Sequence, residues 1–268
     1  MLIDVHAHFH HDRSPRADWA AVNARRFAAC ERIGVRWQVG SVLGTWGRTS
    51  PTYFPSPDDV RYGNDRMLDI AEAYPDRVRA YVAVNPNFPA HARDEIERCA
   101  ARGAVGVKLA ASRRATDALL DPIAELAGAS HLPVLHHVWQ HRRGDWPGQE
   151  ASDGAELCAL ARRHPSTRFI LAHIAGGGDW QHTLRAAAGV ANVYLDLAGS
   201  GADAGMVEDA LAAVGAARLV WGADLTLCTA LARLRVLERL ALPGDELEAI
   251  KGGNARRIFA RGRFDGAG

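Results

Sequence analysis

The sequence predicts a (β/α)₈ barrel, and three observations lead to this prediction. Short β-branched segments alternate with longer helical segments along the chain, eight of each. The 268 residues lie close to the usual length of this fold, about 250 residues. Metal-binding or titratable side chains stand at the ends of several predicted strands, where a barrel of this kind collects its chemistry.

Each predicted strand is a run of branched or aromatic apolar residues, followed by a segment rich in Ala, Leu, Arg and Glu. In chain order the predicted strands are residues 2–9, 35–42, 78–84, 105–109, 133–139, 168–174, 192–197 and 218–222. The predicted helices are residues 17–33, 59–75, 90–102, 116–129, 151–164, 179–188, 203–215 and 227–241. Helical spacing is clear in the last of them, where Leu227, Leu231, Leu234 and Leu237 lie three or four residues apart.

Glycine and proline agree with these boundaries. Gly34, Gly103 and Gly215 fall near predicted helix ends, and Pro122 lies early in a helix. Residues 242–268 are predicted to form short C-terminal helices and a tail, and residues 1–268 are expected to form a single barrel domain. A doubly wound open sheet is the alternative, but it would need a glycine-rich phosphate loop after the first strand. The loop at residues 9–15 contains no glycine.

The bulk composition excludes several classes of protein. A formal net charge of +1 gives no electrostatic basis for binding nucleic acid or a membrane surface. The four cysteines (Cys30, Cys99, Cys158 and Cys228) form no CxxC pair, which argues against structural zinc and a disulfide framework. No signal peptide precedes the first strand and no apolar run is long enough to span a membrane, so a cytoplasmic protein is expected.

The first strand carries the clearest chemical signal. Side chains alternate along a strand, so His6 and His8 are expected to point the same way and to be able to bind one metal ion. Asp4 and His10 share that phase, which predicts one polar side from Asp4 to His10.

Other predicted strands also end in polar side chains. The fifth strand ends in His136 and His137, the sixth in His173 and the eighth in Asp224. A histidine or aspartate inside an apolar strand is costly to bury unless it has a partner. Four strands that end this way at one face of a barrel predict a shared metal site.

These motifs resemble those of the amidohydrolase superfamily. The DVHAH pattern at residues 4–8 is similar to its first-strand His-x-His signature. The PVxxH at 133–137, LAHxxG at 171–176, GxD at 222–224 and NARRIF at 254–259 resemble the amidohydrolase-related branch, which includes aminocarboxymuconate-semialdehyde decarboxylase-like enzymes. The resemblance implies one divalent ion bound by His6, His8, a fifth-strand histidine and Asp224, with His173 as a catalytic group beside the metal-bound water.

The resemblance leaves two residues open. His136 and His137 point to opposite sides of a strand, and the PVxxH pattern favours His137 as the ligand. Lys108 ends the fourth strand, where two-metal members carry a carbamylated lysine, but an unmodified lysine that binds substrate or pairs with a carboxylate is favoured. The sequence departs from most relatives in Gly-Ala-Asp at 222–224, where they have Gly-Ser-Asp.

Two further features are expected to shape the pocket. The irregular segment 44–58, which contains Trp46 and Tyr53, is predicted to be a lid or pocket wall. An arginine after a strand end is a candidate clamp for a substrate carboxylate. The candidates are Arg13, Arg48, Arg113 and Arg114.

The predicted function is metal-dependent hydrolysis of an amide, ester or lactone in a small molecule. Asp224 would orient and deprotonate the metal-activated water, and His173 would stabilise the oxyanion. The alternative is non-oxidative decarboxylation of an unsaturated or aromatic acid, and a ligand-binding protein without catalysis is the third possibility. Three imidazoles and a carboxylate favour Zn²⁺, and Mn²⁺, Fe²⁺ and Co²⁺ also fit. The only expected partner is the substrate, besides possible copies of the same chain in a homo-oligomer.

Overall fold

Eight parallel strands run side by side in chain order, from β1 to β8. The computed structural model describes residues 1–14, 16–42, 50–139, 146–174, 179–199, 205–224 and 230–264. The strands are β1 Leu2–Phe9, β2 Val35–Val42, β3 Val78–Val84, β4 Gly106–Leu109, β5 Val134–His137, β6 Phe169–Ala172, β7 Val193–Asp196 and β8 Leu219–Val220. This sequential parallel order confirms the predicted barrel over the doubly wound sheet, whose strand order reverses.

Backbone hydrogen bonds bring the two ends of the sheet together. The N–H of Val5 donates to the carbonyl of Trp221 at 3.2 Å, and the N–H of Asp224 donates to the carbonyl of His6 at 2.8 Å. The first strand therefore lies beside the segment that follows the last strand. Residues separated by most of the chain become neighbours in this way.

Helices alternate with the strands as predicted, and most bounds differ by one to three residues. The helices are α1 Trp19–Ile33, α2 Pro57–Ala73, α3 Pro89–Ala101, α4 Asp121–Ala129, α5 Gly154–Arg163, α6 Trp180–Ala187, α7 Met206–Val214, α8 Ala230–Arg239, α9 Gly244–Glu248 and α10 Asn254–Ile258. Local chemistry determines several ends. Helix α5 begins with a capping box between Asp153 and Glu156, and α1 ends at Gly34, whose φ of 79° is left-handed.

Apolar side chains fill the N-terminal end of the barrel interior. Ile3, Val5 and Trp37 belong to one buried cluster with Tyr81 and Phe259. The ring of Phe259, which comes from the C-terminal segment, lies 5.8 Å from the ring of Tyr81. This packing closes one end of the barrel and leaves the polar residues at the other.

Strand β1 contains a bulge that changes the phase of its side chains. The register with β2 shifts between Asp4 and Ala7. Ile3 and Val5 pack in the interior cluster, so Asp4 between them points outward, whereas His6 meets Lys108 of β4 and His8 meets Asp224. The predicted continuous polar side from Asp4 to His10 is therefore wrong, because a bulge places one extra residue in the strand.

The structure also bears on the predictions about the cysteines and about membrane spans. Cys30, Cys99 and Cys158 are free and buried, and Cys228 lies outside the described residues. Among the described helices, none combines the length and the hydropathy that a membrane span requires. The single domain over 1–268 and the cytoplasmic location stay predictions.

Candidate metal centre

Side chains from β1, β6 and the segment after β8 converge at the C-terminal end of the barrel. The metal-binding atoms of His6, His173 and Asp224 all lie within 4.8 Å of one another. His8 joins them, because its Nε2 lies 3.1 Å from Nε2 of His6 and 3.0 Å from Oδ1 of Asp224. The structure thus brings together four of the five residues that the sequence assigned to the site.

His6 and His8 of this cluster are buried, and burial favours their neutral form. Burial, together with the charge of Lys108, holds the pKa of His6 well below its usual value. Burial lowers the pKa of His8 to about 4. A neutral imidazole keeps a lone pair available, which is the form that binds a metal ion.

Asp224 accepts contacts from three sides. Its Oδ2 lies 3.2 Å from Nε2 of His173, and its Oδ1 faces His8 and His6. Burial alone would raise the pKa of this carboxyl, but the imidazoles around it hold that pKa well below its usual range. Its backbone has a φ of 49°, and the bond from its N–H to His6 stabilises that left-handed conformation.

Asp196 orients His6, and the sequence prediction missed it. Nδ1 of His6 lies 2.7 Å from Oδ2 of Asp196, so the other ring nitrogen is directed into the cluster. Gly222 permits this approach, because a Cβ there would lie 2.2 Å from Oδ1 of Asp196. Asp196 ends β7, so the search for polar residues at strand ends would have found it if it had included the seventh strand.

The other histidines also have supporting partners. Nδ1 of His8 lies 3.2 Å from the hydroxyl of Ser41 on β2. The backbone of Gly199 packs directly against His173, since a Cβ at Gly199 would lie 2.7 Å from Cβ of His173. The guanidinium of Arg233 on α8 donates to the carbonyl of Gly199 at 2.8 Å. These contacts limit how the imidazoles can rotate.

Lys108 from β4 also reaches the cluster. Its ammonium donates to Nε2 of His6 at 3.2 Å, and burial lowers its pKa to about 8. The ammonium and a metal ion would compete for the same imidazole lone pair. Whether the lysine is unmodified, as the sequence favoured, stays a prediction.

The two histidines of β5 have different surroundings. The ring of His137 meets the ring of His173 edge-on at 5.1 Å. Nε2 of His137 is buried and has no hydrogen-bond partner among the described residues, and the same is true of Nε2 of His136. His136 instead donates from Nδ1 to the carbonyl of His137 at 2.8 Å. These contacts favour His137 as the residue that faces the cluster, and its role as a ligand stays a prediction.

The buried cluster fits one divalent metal ion. His6, His173 and Asp224 provide two imidazole nitrogens and a carboxylate oxygen in one place, and His8 adds a further nitrogen. The unpartnered Nε2 of His137 is a costly feature unless something binds it. This set of nitrogen and oxygen donors suits first-row divalent ions such as Zn²⁺ and Mn²⁺.

Aromatic rings form a wall beside the cluster. The ring of Trp139 lies 5.7 Å from His137 and 6.5 Å from His173. The ring of Tyr53, from the segment predicted to be a lid or pocket wall, lies 6.3 Å from His137. Residues 43–49, including Trp46, lie outside the described residues.

Three of the four candidate arginine clamps are engaged with other residues. Arg13 stacks on the ring of Tyr62 at 3.5 Å. Arg113 pairs with Glu150 and Arg114 with Glu156. Arg48 lies outside the described residues. Lys108, in contrast, contacts the cluster directly through His6.

The fold and this cluster define a class of protein: barrel enzymes with a divalent metal centre at the C-terminal ends of the strands. The chain belongs to the amidohydrolase family, whose sequence model matches residues 3–261. This match confirms the resemblance that the motifs indicated. The chain is thus a metal-dependent enzyme of that family. No curated protein sequence matches it.

Solved structures with the same fold include several carboxylic acid decarboxylases. A dihydroxybenzoic acid decarboxylase from Polaromonas sp. JS666, with bound manganese and 2-nitroresorcinol, is 17% identical with a TM-score of 0.74, covering 97% of this chain and 96% of that one. A 5-carboxyvanillate decarboxylase from Sphingomonas paucimobilis is 18% identical, with a TM-score of 0.71 and coverage of 97% and 98%. A 4-oxalomesaconate hydratase from Rhodopseudomonas palustris is 15% identical, with a TM-score of 0.67 and coverage of 97% and 96%.

Proposed function

We propose that this enzyme is a metal-dependent decarboxylase of a small aromatic or unsaturated carboxylic acid. The observation that carries the proposal is the aromatic wall of Tyr53 and Trp139 beside the histidine–aspartate cluster. A planar substrate can pack against such rings and gain both apolar burial and an edge or face contact. Hydrolysis of an amide or lactone places no such demand on the pocket.

Charge supports an acidic substrate. The ammonium of Lys108 is buried next to His6, and a metal ion would add further positive charge. Both favour an anionic ligand over a neutral amide or ester. The solved structures with a similar fold also support an acidic substrate, because the decarboxylases from Polaromonas and Sphingomonas are named for aromatic acids.

In this proposal His6, His8, His137 and Asp224 hold the ion, and His173 remains free to carry a proton. The bound ion supplies positive charge that orients the acid and lowers the energy of the charge that develops during the reaction. Nε2 of His173 lies 3.2 Å from Oδ2 of Asp224, and because a carboxylate oxygen can only accept, the imidazole nitrogen donates in this contact. His173 is therefore assigned as the proton donor within the cluster.

The reaction exchanges a carboxylate for a proton. Nε2 of His173 gives its proton to the carbon that bears the carboxylate, and a pair of π electrons forms the new C–H bond. The bond to the carboxylate then breaks, its electron pair restores the π system and CO₂ leaves. Asp224 stabilises the position of His173 throughout, and solvent returns a proton to the imidazole.

The direct test measures CO₂ release. Protein loaded with Mn²⁺ or Zn²⁺ is incubated with hydroxylated benzoic acids and with unsaturated dicarboxylic acids, and CO₂ and product are quantified. We expect turnover of at least one acid. The variant His173→Asn should reduce kcat by about 10²- to 10⁴-fold while it retains the ion. His164→Asn is the matched control, since His164 is a buried histidine bound to Asp121 at 2.6 Å, away from the cluster.

Hydrolysis is the second candidate, and the contact between His173 and Asp224 favours it. The same pair, 3.2 Å apart, would suit activation of a water molecule for attack on a carbonyl carbon. Amides, esters and lactones therefore belong in the same screen. Hydrolysis of one of them without CO₂ release from any acid would replace the decarboxylase proposal, and full activity in His173→Asn would contradict the assigned proton donor.

A further inference from the structure

Asp4 connects strand β1 to the segment after β8, and these two segments supply His6, His8 and Asp224 of the metal centre. Its Oδ1 accepts two backbone hydrogen bonds, each 2.9 Å long, from the N–H of His6 and from the N–H of Ala223. His6 belongs to the first strand, and Ala223 immediately precedes Asp224 at the other end of the chain. One carboxylate oxygen thus binds the backbone next to two residues of the cluster.

The bulge in β1 explains why such a link is needed. A bulge interrupts the regular ladder, so local N–H groups lose their usual partners. The bulge lies between Asp4 and Ala7, at the level where β1 adjoins the segment after β8. The carboxylate of Asp4 supplies the missing acceptor on both sides of this junction.

Burial and two backbone hydrogen bonds hold the carboxylate of Asp4 in one position. The side chain is fully buried on the outer side of β1, and this burial raises the pKa of the carboxyl to about 6, whereas its backbone hydrogen bonds and the buried Arg26 from α1 act to lower that pKa. Hydrogen bonds to a charged group are shorter and about twice as strong as those between neutral groups. A fixed carboxylate can therefore determine the backbone position of His6 and Ala223 closely.

We propose that Asp4 is a positioning residue that sets the distance between His6 and Asp224 by binding the backbone of β1 and of the segment after β8. The inference rests on the metal centre of the proposed function, although it does not depend on which reaction that centre performs. Asp4 acts through the backbone and contacts neither substrate nor ion. Metal sites lose affinity when their ligands shift by about 0.5 Å, so a loose junction would weaken binding of the ion.

The test compares three variants of the full chain. Asp4→Ala removes both hydrogen bonds, and Asp4→Asn keeps a neutral oxygen in the same place. Gln38→Ala is the matched control, because Gln38 is buried and pairs with Asp4 in the β1–β2 register. For each protein, the Kd for Mn²⁺ and for Zn²⁺ is measured by chelator competition. The metal-free Tm and the electron paramagnetic resonance line shape of bound Mn²⁺ complete the comparison.

We expect Asp4→Ala to raise the Kd of both ions roughly 10- to 100-fold, the usual effect of losing a residue that supports metal ligands. Asp4→Asn should restore most of the affinity and leave a loss of about threefold to tenfold. Gln38→Ala should change the Kd less than about twofold and leave the Mn²⁺ line shape unaltered. If Asp4→Ala does not fold, the difference between Asp4→Asn and Gln38→Ala carries the test.

Two results would overturn the inference. Asp4 variants that lower the metal-free Tm as Gln38→Ala does, and yet bind both ions like the wild type, would leave Asp4 a purely structural role. A wild-type protein that bound neither ion would also refute it. Failure to release CO₂ from any acid, with metal binding dependent on Asp4, would contradict the decarboxylase proposal alone.

Discussion

The two ends of the barrel interior are built from opposite kinds of side chain. At the N-terminal end, Ile3 and Trp37 pack with Tyr81 and Phe259 in an apolar cluster. At the C-terminal end, buried histidine, aspartate and lysine side chains contact one another over distances near 3 Å. Strand β1 contributes to both ends, and the bulge after Asp4 separates its two parts.

This contrast separates stability from function. Burial of apolar surface contributes about 25 cal/mol per Å², so the N-terminal end stabilises the fold. Buried polar groups lose hydration, and the hydrogen bonds among them recover only part of the loss. The C-terminal end is therefore expected to depend on its ion for stability, whereas the N-terminal end is expected to be independent of it.

The largest expected effect is on activity at the polar end. His6→Ala removes a proposed ligand together with the contacts to Asp196 and Lys108. We expect loss of the bound ion and a fall in kcat/KM on the order of 10³-fold or more, about 4 kcal/mol. Metal content of the purified variant and its turnover measure this. Full metal content with normal turnover would show that the two ends do not differ in the way described.

At the apolar end we expect an effect on stability whose free energy is similar in size to the effect of His6→Ala on activity. Phe259→Ala leaves a cavity beside Tyr81 and should lower the free energy of unfolding by about 3–5 kcal/mol. Urea unfolding of the metal-free protein measures this change. The Kd for Mn²⁺ of the folded variant should stay within about twofold of wild type. A large increase in that Kd would mean that the two ends are coupled.

Removal of the ion should destabilise the wild type by a smaller amount. Free ion at about 100 times its Kd stabilises the native state by about 2.7 kcal/mol, which corresponds to a Tm difference of roughly 5–10 °C for a chain of this size. Thermal unfolding with Mn²⁺ and with a chelator measures this difference. Phe259→Ala should retain most of the metal-dependent shift, and His6→Ala should lose it. An equal shift in His6→Ala would place ion binding elsewhere.

The smallest effect concerns the support of His173. Gly199 has a φ of 106°, and a Cβ there would lie 2.7 Å from Cβ of His173. Gly199→Ala should therefore cost about 1–3 kcal/mol and reduce kcat more than it changes metal affinity. Gly205→Ala is the matched control, since Gly205 has a φ of 87° but nothing within 4 Å of its added Cβ. Equal effects of the two variants on kcat would leave backbone strain as the whole explanation.

Much of the fold could be predicted because its signals are local. The bounds of β1, β2 and β3 agree with the predicted ranges, since each is a run of apolar and β-branched residues bounded by turns. The shorter strands β6 and β8 were predicted too long, because the residues that follow them, such as Ile174 and Trp221, form isolated backbone hydrogen bonds and not a continuous ladder. Composition does not distinguish these two conditions.

The candidate site could be predicted only in part. His6, His8, His173 and Asp224 were found because each lies in a motif at a strand end, and the structure brings them together. Asp196 was missed, although it ends β7. The closeness of Lys108 to His6 could not be read from the chain, because it depends on how two separate strands meet across the barrel.

The sequence by itself determined the alternation of strands and helices and the polar residues that end the strands, because both are properties of neighbouring residues. The tertiary structure alone decided which of these side chains face one another. The bulge in β1 turns Asp4 outward and His6 inward, and closure of the barrel brings Asp224 beside them. Register and closure depend on contacts between distant segments, and a local pattern carries no information about them.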